Sequence, residues 1–158
     1  MAGEPARPGI EIGALRGDER AAWEELARGY KAFYRTPTSD AEFEAAWQRV
    51  SAGREVFGLG ARLDGRLVGI AHYLFHASAW APGVCYLQDL FTAPQARGRG
   101  VARALIEAAA ARARERGAAR FYWNTQEDNA VARSLYDRLG KFNGFIRYDY
   151  PLVADRSR

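Results

Sequence analysis

The chain has 158 residues, 48% hydrophobic and 27% charged, which is typical of an ordinary soluble globular protein. We therefore expect a single domain over residues 1–158, with a core from about residue 10 to residue 152. The single cysteine, Cys85, excludes an intrachain disulfide and a cysteine metal cluster, and fits a reducing cytoplasm. No segment resembles a secretory signal or is long enough to span a bilayer, so we expect a cytoplasmic protein without membrane contact.

The positive charge is concentrated in one part of the chain. The net charge is +4, but the window from Arg97 to Arg120 holds seven arginines against two glutamates, a local charge of +5. A local patch beside a loop favours a phosphate-bearing ligand over a long polyanion. We therefore expect no nucleic-acid partner.

Apolar periodicity and turn residues predict the element order βααβββαβαβ. The Asp-Gly pair at 64–65 lies between two β-rich runs and predicts a hairpin. The predicted elements are a strand at 10–16, helices at 17–35 and 39–50, hairpin strands within 56–78, a buried strand at 84–92, a helix at 98–116, a strand at 118–125, a helix that begins after Asp128 or Asn129 and ends at Gly140, and a last strand at 144–152.

Gly98 and Gly100 lie between arginines where the buried strand meets the third helix. The first amides of a helix lack intrahelical partners and carry partial positive charge, so such a turn binds anions, above all diphosphates. A tight turn with solvated arginines is the simpler alternative. The string required for a P-loop is absent, and the dinucleotide fingerprint fails because its third glycine is Arg103 and only 58 residues follow Gly100.

Two motifs carry a family resemblance. "QARGRGVARAL" (95–105) resembles the Q/R-x-x-G-x-G/A signature of the GCN5-related N-acetyltransferase (GNAT) superfamily, and "NAVARSLYDRLG" (129–140) resembles its second motif. "YLQDLFTAP" (86–94) and "FYWNTQEDN" (121–129) are similar to its diamine and thialysine branch and to related small-amine acetyltransferases. The resemblance implies an α/β (α+β) fold, with a central mixed, mostly antiparallel sheet flanked by about four helices.

The resemblance also implies acetyl transfer from acetyl-CoA to a primary amine, by direct attack on the thioester. The main chain of Leu90, Phe91 and Thr92 would pair with the pantetheine arm, and Tyr136 would protonate the leaving thiolate. Asn129 and Tyr136 are seven residues apart, so they lie on one helical stripe along which the arm would pass. The pyrophosphate would be bound by the amides of the loop, namely Arg97, Gly98, Arg99, Gly100, Val101 and Ala102.

The acceptor side departs from the pattern of this branch, which commonly shows Glu-Asp where this chain has Gln88-Asp89. Gln88 cannot accept a proton, so Asp89 is left to attract the amine or to relay its proton. Because side chains alternate along a strand, the two residues share a cleft only if a bulge intervenes. Aromatic side chains suit a cationic amine, and the candidates to line its pocket are Tyr30, Phe33, Tyr34 and Trp47.

His72 and His76 are four residues apart on a predicted strand, and we interpret both as structural, with a proton relay as the alternative. With no third ligand in view, we expect no metal site. The expected acceptor is a polyamine, an amino acid or a lysine analogue. The alternatives are acetylation of a protein lysine or N-terminus, and a non-catalytic acyl-CoA-binding module. Members of this superfamily are often dimers, so a homodimer is a further expectation.

Overall fold

In the computed structural model, which describes residues 9–153, five strands form one sheet in the order β1-β2-β3-β4-β5. Neighbouring strands from β1 to β4 are antiparallel, and β5 pairs in parallel with β4. The mixed sheet and its four α-helices confirm the expected fold class. The strands are β1 (Ile10–Ala14), β2 (Val56–Leu63), β3 (Arg66–His76), β4 (Val84–Thr92) and β5 (Arg120–Tyr122); the helices are α1 (Arg20–Phe33), α2 (Asp40–Ala52), α3 (Val101–Glu115) and α4 (Ala130–Leu139).

Local sequence signals account for several of these boundaries. Ser39 begins α2 with a capping box, in which its hydroxyl accepts from the Glu42 amide and the Glu42 carboxylate accepts from the Ser39 amide. Asp64 and Gly65 both adopt left-handed φ angles, 50° and 76°, as the hairpin turn between β2 and β3 requires. The predicted hairpin is therefore confirmed.

The helices α1 and α3 cover opposite faces of the sheet. His72 of β3 is hydrogen-bonded to Trp23 of α1, whereas an added Cβ at Gly69 of the same strand would meet Val101 of α3. Residues three apart on a strand point to opposite faces, so the two helices lie on different sides. The core between these layers includes Trp23, Ile70, Val84, Val101 and Leu105, each at most 2% exposed.

The chain forms two compact units whose boundary falls between Asn124 and Thr125. The second unit contains α4, with Asn129 as its N-cap, followed by a segment without regular secondary structure from residue 140 to residue 153. The predicted last strand at 144–152 is therefore wrong. A strand needs a partner for its backbone, and this segment has none among residues 9–153, although its apolar residues alternate with polar ones as in a strand.

No helix in residues 9–153 is long and apolar enough to cross a membrane.

Candidate active site

The loop from β4 to α3 has the conformation that its glycines predict. Gly98 and Gly100 have φ angles of 75° and 85°, in the left-handed region that favours glycine. The helix α3 therefore begins at Val101 rather than at Gly98. Gly100 is its N-cap and supplies no side-chain cap, and no acidic residue lies in the first turn. The amide groups at this helix start are consequently suited to an external anion.

The main chain of β4 has a free edge beside this loop. β3 pairs with β4 along its length, but β5 pairs only with residues 84–86. On the β5 side, residues 87–92 thus have no strand partner in the described part of the chain. Backbone groups of adjacent strand residues point to opposite edges, and the Ala93 amide donates to Val68 of β3, so the groups that face the free edge are those of Leu90 and Thr92. The Thr92 carbonyl there accepts from Arg97 Nε at 3.3 Å. Thr92 Oγ1 is itself buried without a hydrogen-bond partner, so a contact from Thr92 would come from its main chain.

A cavity of about 530 Å³ opens beside the loop. Three arginines line it, Arg97 and Arg99 from the loop and Arg66 from the start of β3. Two acidic residues, Glu25 and Asp64, also line the cavity, so the charged side chains around it carry a net positive charge. This balance suits an anionic ligand.

Phe91 connects this cavity to a second group of side chains. Its ring lines the cavity, and the Arg97 guanidinium lies 5.7 Å from the ring centroid. On another side it meets Tyr30 edge-on at 6.5 Å between centroids. Gly29 of α1 allows this approach, since an added Cβ would be 2.8 Å from the Phe91 ring.

The second group is centred on Asp89, whose side chain is 24% exposed. Asp89 Oδ2 accepts a hydrogen bond from His72 Nδ1 at 2.9 Å, and the charge of Asp89 also acts on Tyr30 and Tyr34. Burial favours the neutral acid, but the interactions with His72, Tyr30 and Lys31 outweigh it and hold the pKa of Asp89 below its usual value. Burial, followed by the charge of Asp89, raises the pKa values of Tyr30 and Tyr34. The cluster is an ionised carboxylate beside two protonated phenols.

A β-bulge lies next to Asp89. His72 pairs with Asp89 and Tyr73 pairs with Leu87, so Gln88 is left without a partner in the ladder. A bulge at this position is the condition under which Gln88 and Asp89 could face the same cleft. Gln88 is exposed, whereas Asp89 is held against β3 and α1.

Two aromatic candidates differ in their surroundings. Phe33 is 53% exposed and lines the cavity. Trp47 is 6% exposed and packs on Trp23, with 5.3 Å between ring centroids, so the expectation that it lines an acceptor pocket is wrong. Trp47 faces inward because it belongs to the apolar stripe of α2, with Phe43 and Val50.

The two histidines are both hydrogen-bonded within the protein. His76 Nδ1 lies 2.8 Å from the Ala77 carbonyl oxygen and its Nε2 lies 3.0 Å from the Tyr122 hydroxyl. His72 is 7% exposed and bonded to Trp23 and Asp89. In residues 9–153 no three metal-ligating side chains are grouped to hold a metal ion.

The remaining candidates lie in the second unit, on α4. The Asn129 side chain caps the helix by accepting from the Ala132 amide at 3.3 Å, and its Nδ2 donates to Thr125 at 3.4 Å. Tyr136 is half-buried two turns further along, on the stripe that the heptad spacing predicts. Their roles toward a cofactor stay predictions.

Two residues near these groups were not predicted from the sequence. Arg66 lines the cavity, and nothing in the local sequence distinguishes it from any arginine after a hairpin turn. Trp23 contacts His72, and a signal for it exists, because Trp23 and Tyr30 are seven residues apart and share one face of α1.

Comparisons with known proteins bear on the class of protein. The sequence profile of the acetyltransferase (GNAT) family matches residues 21–141. The D-amino-acid N-acetyltransferase HPA3 of Saccharomyces cerevisiae is 31% identical over 134 residues, which cover 82% of this chain and 83% of that protein. A thialysine N-epsilon-acetyltransferase of Sus scrofa is 32% identical over 74 residues, 47% of this chain and 44% of that one.

A solved structure of AAC(6′)-Iy, in complex with the bisubstrate analog CoA-S-monomethyl-acetylneamine, has the same fold. Its TM-score is 0.78 at 19% identity, over 90% of this chain and 97% of that one. Fold, loop and relatives together define an acyltransferase. The chain belongs to the acetyltransferase (GNAT) family and is an N-acetyltransferase.

Proposed function

We propose that this enzyme transfers the acetyl group of acetyl-CoA to a primary amine of a small molecule, such as an amino acid, a polyamine or a lysine analogue. The observation that carries the proposal is the left-handed pair Gly98 and Gly100 at the uncapped start of α3, beside an arginine-lined cavity. Two relatives support the acceptor class by their names, a D-amino-acid and a thialysine acetyltransferase. In this proposal the whole chain acts as a single N-acetyltransferase domain.

The described residues fit acetyl-CoA, which supplies the acetyl thioester when bound. The free β4 edge at Leu90 and Thr92, on either side of Phe91, accommodates the amide groups of its arm. The amides from Gly98 to Ala102 bind the diphosphate, with no Cβ in the way at Gly98 or Gly100, whereas the Arg97 amide already donates to the Pro94 carbonyl. The guanidinium groups of Arg97, Arg99 and Arg66 add positive charge around it.

The acceptor amine is bound by the Asp89 cluster. An ionised carboxylate attracts an ammonium group, and the faces of Tyr30 and Tyr34 add cation–π attraction. Gln88 lies at the bulge and contributes a polar amide without a charge. The amine must lose a proton before it attacks, because alkylammonium groups have a pKa near ~10.4. Asp89, directly or through water, takes part in that transfer.

Tyr136 Oη donates a proton to the leaving sulfur. A phenol with a pKa of ~10 is a suitable donor to a thiolate whose conjugate acid has a pKa near ~8.5, and positioned general acids contribute roughly 10²–10⁴-fold. Asn129, two turns before Tyr136 on α4, orients the arm of the donor.

The enzyme acts as a homodimer in this proposal, and each copy covers the exposed C-terminal segment of the other. Phe145, Tyr148 and Tyr150 are each at least 85% exposed, and exposed apolar side chains in one short segment mark an interaction site. β5 is an edge strand of the sheet. Each copy therefore offers the backbone of β5 as an unpaired edge, together with the strand-like segment that contains Phe145, Tyr148 and Tyr150. A cytoplasmic location belongs to the same proposal, because Cys85 is the only cysteine.

The presence of Gln88, where related enzymes commonly have a glutamate, favours one second candidate function, a module that binds acyl-CoA without catalysis.

A direct test of the proposed function is release of free thiol from acetyl-CoA in the presence of a panel of amines, with acetylated product identified by mass. Turnover on amino acids, polyamines or lysine analogues supports the proposal. Turnover confined to peptide lysines or N-termini indicates a protein acceptor, and binding of acetyl-CoA without turnover indicates the module.

A further inference from the structure

A buried row of hydrogen-bonded side chains connects α1, β3 and β4. Trp23 Nε1 donates to His72 Nε2 at 2.9 Å, and His72 Nδ1 lies 2.9 Å from Asp89 Oδ2. Trp23 is 1% exposed and His72 is 7% exposed, so the two rings are fixed by packing as well as by hydrogen bonds.

The chemistry of these groups fixes the direction of each hydrogen bond. The indole N–H of Trp23 can only donate, so Nε2 of His72 must accept. A neutral imidazole carries a single N–H, and here that proton is on Nδ1, where it is donated to Asp89. A donor on Nε2 would face the Trp23 N–H at 2.9 Å, so this contact favours an unprotonated Nε2.

This arrangement has consequences for both histidine and carboxylate. Both ring nitrogens of His72 are engaged, which argues against its role as a proton relay. Asp89 Oδ2 receives the hydrogen bond that His72 Nδ1 donates. Its remaining lone pairs are those available to an ammonium group.

We propose that His72 is a positioning residue, which Trp23 holds with its proton on Nδ1 so that His72 orients Asp89 toward the acceptor amine. The inference rests on the proposed function, in which Asp89 contacts that amine. A role in packing alone would require only the volume of the imidazole. A positioning role requires the N–H that reaches Asp89.

The first test reads the His72 proton directly, without substrate and without a substitution at His72. ¹⁵N shifts of imidazole nitrogens distinguish the two tautomers, and the chain contains only two histidines, so His76→Gln assigns the signals. At pH 7 we expect His72 to be neutral with the proton on Nδ1. A proton on Nε2, or an imidazolium, overturns the proposal even if the enzyme is active.

The second test separates positioning from packing by kinetics. Losing the hydrogen bond to an ionised partner should raise the KM of the amine roughly ten- to hundredfold in His72→Leu, with the KM of acetyl-CoA unchanged. His72→Asn restores an N–H close to the Nδ1 position and should recover most of that loss, while His76→Asn should stay within about twofold, since Nδ2 of the new residue replaces an exposed donor. Equal effects of His72→Leu and His72→Asn would contradict a positioning role. If the native enzyme acetylates no amine, the proposed function fails, and the tautomer measurement stands separately.

Discussion

Gly69 of β3 lies directly beneath Val101, the first residue of α3. A Cβ added at Gly69 would be 2.7 Å from Val101 Cγ1 and 3.1 Å from Leu105 Cδ1. The absence of a side chain at Gly69 therefore sets how closely the start of α3 approaches the sheet. The amides proposed to bind the diphosphate begin at this point.

Gly69→Ala should disturb both stability and cofactor binding. Overpacking of this kind lowers the free energy of unfolding by roughly 1–3 kcal/mol, and the shifted helix start should weaken acetyl-CoA binding. Gly13→Ala is the control in another strand, because its added Cβ would meet only Arg62 Nη1, at an ordinary 3.7 Å. Denaturant titration and calorimetry measure the two effects. If Gly69→Ala binds acetyl-CoA like the native enzyme, Gly69 does not set the binding loop.

Tyr136→Phe should lower kcat and leave the affinity for acetyl-CoA nearly unchanged. The substitution removes only the acidic hydroxyl, so the expected loss is roughly 10²–10⁴-fold, the usual contribution of a positioned general acid. Tyr150→Phe, at an 85% exposed position in the same unit, is the matched control. Steady-state kinetics with calorimetric Kd values distinguish the two. An unchanged kcat in Tyr136→Phe would remove Tyr136 from the acid role.

Glu19 and Arg62 form a buried ion pair that should make stability depend on pH. The Arg62 side chain is 1% exposed, and its Nε and Nη2 donate to the two Glu19 oxygens at 2.6 and 2.7 Å. The hydrogen bond from Arg62 lowers the pKa of Glu19, although burial opposes it. The contribution of the pair is therefore complete above the unfolded pKa of ~4.3, and is lost as pH falls through the lower folded value.

Glu19→Gln should cost roughly 3–5 kcal/mol of unfolding free energy at pH 7, since it leaves the Arg62 charge without a carboxylate. The same variant should lose less stability than the native protein between pH 5 and 3. Glu24→Gln is the control, because Glu24 pairs with the more exposed Arg20 and Arg28 and should cost about 0–1 kcal/mol. The measurement is urea titration across pH. Equal losses of unfolding free energy in the two variants would show that the buried pair stabilises the protein no more than the exposed pairs do.

The exposed C-terminal segment predicts a dimer. Light scattering after size exclusion should give twice the 17.6 kDa chain mass. Tyr148→Glu combined with Tyr150→Glu should shift the species to a monomer, because each substitution places a charge in the proposed interface. Trp80→Glu is the control, since Trp80 is 97% exposed and lies outside the segment. A native monomer at micromolar concentration would refute the proposed assembly.

The sequence predicted those elements whose signals are local. β4 was predicted with its observed bounds, 84–92, because an apolar run lies between two turns, and the Asp64-Gly65 turn specified the hairpin. The conformation of the glycine loop was also predicted, because glycines in the turn before a helix favour left-handed φ angles. The last strand was wrong because alternation alone does not supply a backbone partner.

The parts of the site that the sequence did not predict depend on tertiary packing. Trp23 and His72 are 49 residues apart, and only the packing of α1 on β3 brings their nitrogens together. The bulge at Gln88 arises from the register of β4 on β3, which no local pattern specifies. For the same reason the role of Arg66 beside Arg97 and Arg99 could not be predicted from residues 64–66 alone.

The most direct test of the account is calorimetric binding of acetyl-CoA to the native enzyme and to two matched glycine variants. Gly98 and Gly117 have φ angles of 75° and 69°, and an added Cβ meets nothing within 4 Å at either position. Both alanine substitutions should therefore cost about the same backbone strain, roughly 1–2 kcal/mol. Only Gly98→Ala places a methyl group where the diphosphate approaches, so it should weaken binding roughly tenfold or more while Gly117→Ala binds like the native enzyme. If the native enzyme does not bind acetyl-CoA, or if the two variants bind it equally well, the loop does not hold the diphosphate and the account is wrong.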